Sequence, residues 1–390
     1  MDRTGTAFGT VIGLWAAGLG AAAQFGKVSV TYPDLAVIYG GTGAALSFAV
    51  SLVGSAGIVL GVVAGLVVAR TGSRRALLWA LLLGALLSAF QSLLPPLWLF
   101  LVSRAVEGAS HLAIVVAAPT LIAQLSAPRH RGLTLSLWST FFGVAFALLV
   151  WLGLPLVAVG GVAALYAAHA IYMAAMAVLI FILLPKDIIG PGAEPLSIRR
   201  ILAEHVEIYR SPFRNAAALG WVFYAGSYLA IMTIMPPFVP EEIRAATFAA
   251  LPLVGITSSM TLGVFLLRRF PAVRVVQAGF LASLCAAGLI AALPGQGWAY
   301  LLLSAALGLV QGGSFTAIPQ INPDARGQAQ ANGALAQMGN IGTTFGTPIL
   351  AALVAGAGLM GFLAFAVTLF AGGAAVHAAM ARRRARQALA

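Results

Sequence analysis

The sequence predicts an all-α integral membrane protein: twelve transmembrane helices in two pseudo-symmetric six-helix bundles. Three observations carry that prediction. The 390 residues are 61% hydrophobic and only 8% charged, with a mean hydropathy of +0.99, whereas a soluble domain is about one quarter charged. Apolar runs long enough to cross a hydrocarbon core of about 30 Å recur along the whole chain. One long polar stretch, residues 185–213, separates six of these runs from the other six.

The runs lie near 7–27, 43–69, 75–94, 97–124, 133–154, 160–184, 214–237, 246–267, 273–293, 298–319, 330–355 and 358–380. The first is too long for the apolar core of a cleavable leader and has no small-residue processing site after it, so it reads as a membrane helix. After it, QFGKVSVTYPDLAVIYGG (24–41) is neither cleanly membrane nor cleanly loop, and Tyr32 and Asp34 fit either an outer gate or a solvated turn around Pro33. In the second run Gly57, Gly61 and Gly65 recur every fourth residue, a spacing that lets helices approach closely. The bundles are expected over 1–184 and 214–390, tethered by a linker over 185–213. The linker holds Pro191, Gly192 and Pro195, then SIRRILAEHVEIYR, where Ile198, Ile201, Leu202, Val206 and Ile208 recur at near-helical spacing among charges. That pattern predicts an amphipathic helix on the cytoplasmic surface.

The net charge is +12. Its basic residues are spread over many short loops instead of gathering on one face, which argues against nucleic acid as a partner. Of the 22 Lys and Arg, all but Lys27, Arg104 and Arg244 fall on one side if both termini are cytoplasmic. The positive-inside rule supports that orientation. The single Cys285 excludes a disulfide framework and a cysteine-based metal cluster. No HExxH, CxxC or Gly-x-Ser-x-Gly pattern is present, so no enzyme, resident metal or cofactor is expected.

The two halves echo each other. The loop after the fourth run reads PRHRG (128–132) and the loop after the tenth reads PDARG (323–327). GLVVARTGSRR (65–75) after the second run pairs with GVFLLRRF (263–270) after the eighth. Matching echoes at matching positions favour an internal repeat, which in secondary transporters places the bound solute near the membrane midplane at the repeat interface.

GLVVARTGSRR also resembles the signature of the major facilitator superfamily between its second and third helices: Gly65, Arg70, Gly72, Arg74 and Arg75 fall on it in register. Ala69 stands where that family usually has Asp, an acid that helps latch the outward-open state, so the resemblance implies a gating motif whose latch is either weakened or supplied elsewhere. Arg104 and Gly108 resemble the fourth-helix Arg-x-x-x-Gly pattern of many proton-coupled members. The resemblance covers the whole chain and implies a transporter of small solutes that works by alternating access, a monomer in the bilayer with protons as a candidate coupling ion. WAAGLGAAAQFGKVSV (15–30), RAVEGASHLAIVVAAPTLIA (104–123) and IPQINPDARGQAQANGALAQMGNIGTTFGTP (318–348) are similar to a bacterial branch holding CcoA-type copper importers and RfnT-type riboflavin importers. That likeness implies the bacterial inner membrane.

Arg104, Glu107, Gly108 and His111 are spaced i, i+3, i+4, i+7 and share one stripe of a helix. A charge at a helix centre costs about 2.5–3.5 kcal/mol on insertion scales, so the stripe is expected to face protein or a watery cavity. Arg104 and Glu107 form an i, i+3 pair that either staples the helix to a neighbour or lines the pathway. Gln24 and Lys27, at the end of the first run, are expected at similar depth, making one cluster with Arg104 and Glu107. Glu107 is the expected proton or solute partner, with His111 beside it as a second candidate. His169 and His377, single histidines in apolar surroundings, read as structural.

The second half offers hydrogen bonds more than charge. Gln337, Asn340 and Thr344 are spaced i, i+3, i+7; Gln311 and Ser314 lie on the preceding run, and WVFYAGSY sets Trp221, Tyr224 and Tyr228 on one helix face. Aromatic walls with amides suit a flat polar heterocycle, and the likeness to the branch with riboflavin importers makes riboflavin the preferred cargo. Copper is disfavoured because Met232 is followed four residues later by Pro236 and Met260 by Val264, where the copper branch carries thioether and imidazole ligands. Small organic anions drawn by Lys27 and Arg104 are the next alternative. Multidrug efflux is weaker, because LSLWSTFFGVAFALLVWLG lacks the Gly-Pro signature of antiporters.

Overall fold

The computed structural model describes residues 5–40, 44–185 and 198–388, and among them every regular element is helical. In chain order these are α1 (Phe8–Val30), α2 (Tyr32–Ile38), α3 (Ala44–Thr71), α4 (Ser73–Ser92), α5 (Leu97–Leu125), α6 (Arg131–Ser139), α7 (Phe141–Leu148), α8 (Leu154–Leu183), α9 (Ile198–Arg210), α10 (Ala216–Ile234), α11 (Glu241–Ser258), α12 (Val264–Arg269), α13 (Ala272–Ala292), α14 (Gly297–Ile321) and α15 (Ala325–Ala388). Pro191, Gly192 and Pro195 of the expected linker lie outside the described residues.

Among the described residues ten stretches are long and apolar enough to cross a membrane, but two of them, Pro128–Leu183 and Ala325–Gln387, run to 56 and 63 residues. At 1.5 Å per residue each is more than about 80 Å of helix, far beyond one crossing of the hydrocarbon. Each also contains one residue that no helix accommodates: Gly161 at φ 71° and Gly358 at φ 54°. Positive φ is open to glycine without a Cβ penalty, so the chain turns back at these two points. The two long stretches are therefore four crossings, and the total among the described residues is twelve. Large apolar side chains such as Trp79, Trp151, Val159 and Ile182 lie on the outside, as a hydrocarbon surround requires.

The expected run 133–154 is not one helix. It is α6, a turn at Thr140, α7 and a π-helical segment at Leu149–Gly153. A second π-helical segment, Ser259–Gly263, joins α11 to α12. The ambiguous stretch after the first run resolves into the end of α1 and the short α2, with Pro33 in its first turn, where a missing N–H costs nothing.

The chain divides into two compact units. The first is Met1–Pro128 with Thr140–Ile201, and the second is Arg129–Ser139 with Leu202–Ala390. In the first, α5 packs against α1, α3 and α4, and α8 packs against α1 and α4. Gly108 permits the approach of α5 to α3, since a Cβ there would meet the Val53 carbonyl at 2.6 Å. In the second, α10 packs along α15, α13 along α14 and α15, and α6 against α14 and α12. Its core is aromatic, with Phe280, Tyr300, Phe362, Phe365 and Phe370 buried together.

The 65–75 motif has a structural basis within the first unit. Gly72 takes φ 88° between α3 and α4. Arg74 then donates from Nε to the Leu184 carbonyl (2.8 Å) and from Nη2 to the Phe181 carbonyl (3.0 Å), with its guanidinium 5.0 Å from the Phe181 ring. It caps the end of α8, whose last carbonyls have no intrahelical partner.

Candidate functional site

Four helices of the first unit each present a polar pair three residues apart: Gln24 and Lys27 on α1, Ser88 and Gln91 on α4, Arg104 and Glu107 on α5, Tyr166 and His169 on α8. Residues at i and i+3 share a helix face, so each helix turns one polar turn toward the others. Glu107 is the centre. Its Oε1 accepts from Lys27 Nζ at 2.7 Å, and its Oε2 accepts from Arg104 Nη1 and from Gln91 Nε2 at 2.9 Å. Arg104 further donates to the main-chain carbonyls of Gln24 (2.7 Å) and Ala49 (2.8 Å).

Around this centre the groups are tied in turn. Lys27 Nζ donates to Ser88 Oγ at 2.6 Å and lies 5.1 Å from the centroid of the Tyr166 ring. Ser88 Oγ is 2.7 Å from His169 Nδ1, and His169 Nε2 is 2.9 Å from the Gly20 carbonyl. Gln24 Nε2 donates to Ser110 Oγ at 2.8 Å, and the Tyr166 hydroxyl meets Thr31 Oγ1 at 3.2 Å. Two cations facing one carboxylate leave one excess positive charge. Arg104 Nη2, Gln24 Oε1 and Gln91 Oε1 are buried with no hydrogen-bond partner.

The expected grouping of Gln24, Lys27, Arg104 and Glu107 is therefore found as a contact network. The stripe does not open on water in this conformation: Lys27, Arg104 and Glu107 are 0% exposed and His111 is 6% exposed. The reason is the density of donors, which closes the carboxylate on every side. His111 is tied to other groups, with Nδ1 on the Ala21 carbonyl at 2.9 Å and its ring edge-on to Phe25. His169, expected to be structural, is hydrogen-bonded within the network. Ser88, Gln91 and Tyr166 had no place in the sequence reading, although the i, i+3 repetition on four runs was there to find.

In the second unit Trp221, Tyr224 and Tyr228 form a stacked ladder, with ring centroids 4.4 and 5.8 Å apart, and Phe315 of α14 meets Trp221 edge-on at 5.2 Å. The amides expected with them are engaged. Gln311 Nε2 donates to the Ser139 carbonyl of α6, Gln337 Oε1 accepts from the Tyr209 hydroxyl of α9 at 2.7 Å, and Asn340 Nδ2 bonds its own helix at the Ala336 carbonyl (2.8 Å). Burial raises the pKa of the Tyr209 phenol, which keeps it a donor. Of the methionines weighed for copper, Met232 packs against the aromatic core, in which Met235 is buried.

Comparison with known proteins adds family and fold. The sequence model described as Major Facilitator Superfamily matches residues 10–347. No curated protein sequence matches the chain. Among solved structures, the transporter FucP in the outward conformation, the E. coli fucose:proton symporter, superimposes with a TM-score of 0.76 at 15% identity, covering 95% of this chain and 98% of that one. The human organic anion transporter MFSD10 gives 0.72 at 18%, covering 94% and 98%. The proton:xylose symporter XylE gives 0.72 at 16%, covering 96% and 95%. Identities this low speak to the fold alone.

Proposed function

Because this chain belongs to the major facilitator superfamily, and so to a fold of secondary transporters for small solutes, we propose that it takes up riboflavin across a bacterial inner membrane, coupled to protons, with both termini cytoplasmic. The ladder of Trp221, Tyr224 and Tyr228 with Phe315 beside it carries this reading. Stacked aromatic faces favour a flat heterocycle, and the amides of Gln311, Gln337 and Asn340 offer partners for its carbonyls and polyol once their present bonds are exchanged. Gln24, Lys27, Arg104, Glu107 and His111 supply the charged half of the work, and Gly65, Arg70, Gly72, Arg74 and Arg75 the gate. Proton coupling is supported by the fucose:proton and proton:xylose symporters among the structural neighbours, and the cargo by the sequence likeness to the riboflavin branch.

Uptake of radiolabelled riboflavin by a riboflavin-auxotrophic bacterium, with and without this gene, tests the reading. Saturable uptake, lost in Arg104→Ala, is the expected result. No uptake from correctly inserted protein removes riboflavin. One observation favours a second reading, import of a small organic anion: the buried cluster carries an excess positive charge, and Arg104 Nη2 has no partner. Labelled mono- and dicarboxylates in the same cells separate the two.

A further inference from the structure

The charged cluster holds a directed chain of hydrogen bonds that its charge balance makes consequential. His169 is held at both ring nitrogens, and the two partners fix its tautomer. The Gly20 carbonyl 2.9 Å from Nε2 can only accept, so Nε2 carries the hydrogen. In the neutral ring Nδ1 is then bare and accepts the hydroxyl proton of Ser88 across 2.7 Å. Ser88 Oγ in turn accepts from Lys27 Nζ across 2.6 Å, since an ammonium only donates. Donors therefore run head to tail from Lys27 through Ser88 to His169.

We infer that Lys27, Ser88 and His169 are a proton relay, and that the mobile proton of this transporter sits on Lys27 and not on Glu107. The step balances within the chain. An N–H bond of Lys27 breaks as its proton goes to Ser88 Oγ, while the Ser88 O–H bond breaks and its proton goes to His169 Nδ1. The products are a neutral Lys27 amine, an unchanged serine hydroxyl and an imidazolium at His169. One positive charge has moved from α1 to α8. Afterwards the Ser88 hydroxyl has Glu107 Oε1, 3.4 Å away, as its new acceptor, and its oxygen accepts from His169. The chain thus reverses by rotation of one hydroxyl.

The neighbours explain why the proton comes from Lys27. Arg104 keeps its proton under all ordinary conditions. Glu107 is saturated by Lys27, Arg104 and Gln91, and protonating it would displace a donor and leave two cations without a counter-charge. The titratable groups facing the relay are Arg104, Glu107 and His111 from α5 and Tyr166 from α8; α4 offers only neutral Ser88 and Gln91. His111 and Tyr166 are tied to Ala21 and Thr31, outside the donor chain. Of the groups left, His169 is the one that presents a bare ring nitrogen to the donor chain, at the Ser88 hydroxyl.

This inference rests on the proton-coupled reading above, so its test has one arm that needs no cargo. In the full-length protein in lipid with ¹⁵N-labelled histidine, the His169 ring signals are identified by their loss in His169→Gln. The relay requires the Nε2–H tautomer, with an Nδ1 signal that moves when Ser88→Ala removes its donor. A proton on Nδ1 of the neutral ring, or an Nδ1 signal indifferent to Ser88→Ala, overturns it. The second arm measures protons moved per riboflavin in proteoliposomes. Ser88→Ala and Lys27→Arg, whose guanidinium pairs with Glu107 but does not release its proton, are expected to lower that ratio about tenfold, and Ser88→Thr to restore it. An unchanged ratio in Lys27→Arg returns the proton to Glu107. If wild-type protein moves no riboflavin, the cargo reading falls and the ¹⁵N arm alone decides the relay.

Discussion

The two units handle buried polarity in opposite ways. In the first, charged groups bond one another: Glu107 alone ties Lys27, Arg104 and Gln91 from three helices. In the second, several neutral side chains within the spans end on main-chain carbonyls, as Ser304 does on Leu251 (2.6 Å) and Ser258 on Ala305 (2.7 Å). Among the described residues its ion pairs, Arg214 with Glu207 and Arg326 with Glu204, involve the linker helix α9 and not the middle of a span. A shared carboxylate makes each partner depend on the rest, whereas a serine on a carbonyl depends on nothing else. Substitutions should therefore interact strongly in the first unit and add independently in the second.

Removing the hub is the strongest way to break that contrast. Glu107→Ala strands Lys27 and Arg104 as uncompensated buried charges, and breaking such a pair costs about 3–5 kcal/mol. The expected outcome is a large fall in the unfolding temperature of purified protein in detergent. Adding Lys27→Met should recover part of that loss, because one stranded charge is gone and only Arg104 remains. If Glu107→Ala and Lys27→Met simply add, the cluster is not a network.

In the second unit the largest single cost should come from packing and not from charge. Gly220 on α10 lies under the His377 ring of α15, where a Cβ would overlap the imidazole. His377 is 1% exposed and packs beside Phe280, so the ring has nowhere to go. Gly220→Ala is expected to cost about 1–3 kcal/mol, the usual range for overpacking, and His377→Ala on the same background should restore most of it. Restoration separates a steric cause from any effect of the alanine on α10 itself.

Most of the fold was legible because its signals are local. Run length, the polar break and the glycine of the 65–75 motif all act on their own stretch of chain, and Gly161 and Gly358 fall at the edges of the expected fifth-to-sixth and eleventh-to-twelfth boundaries. The cluster was half legible. Lys27, Arg104 and Glu107 declare themselves because a charge in a span demands a partner. Ser88, Gln91 and Tyr166 do not, since a serine or tyrosine in an apolar run is unremarked until the neighbouring helix is known. The bonding partners of Gln311 and Gln337 are hidden for the same reason. Their bonds go to Ser139 and Tyr209, more than a hundred residues away in sequence, and no periodicity reports that.

Additivity in the second unit is the next, smaller test. Ser304→Ala removes one bond to α11, and Tyr209→Phe removes one from α9 to Gln337. Each should cost about 1 kcal/mol. The double variant should lose the sum, since the two bonds share no partner. A double variant differing from the sum by as much as either single loss would mean that the second unit is as cooperative as the first.

The smallest effect belongs to α9 and sharpens the comparison at its edge, where a histidine makes a weak contact outside the spans. The His205 ring lies 5.0 Å from that of Tyr209, tilted by 39°, and burial lowers the His205 pKa below its ordinary value. The neutral ring is thus the form that packs. A histidine whose folded pKa is depressed lends stability above its unfolded pKa, about 6.5, and that contribution is lost as the pH falls below it. The ring is partly exposed, so the loss is small and local. Backbone hydrogen exchange in α9, normalised to the intrinsic rate, should rise as the pH is taken from about 7 to about 5, and His205→Gln, neutral throughout, should flatten the response. If both proteins respond alike, the pH sensitivity of α9 lies with its carboxylates, Glu204 on Arg326 and Glu207 on Arg214, and the linker helix is held by the same kind of charge pairing as the first unit.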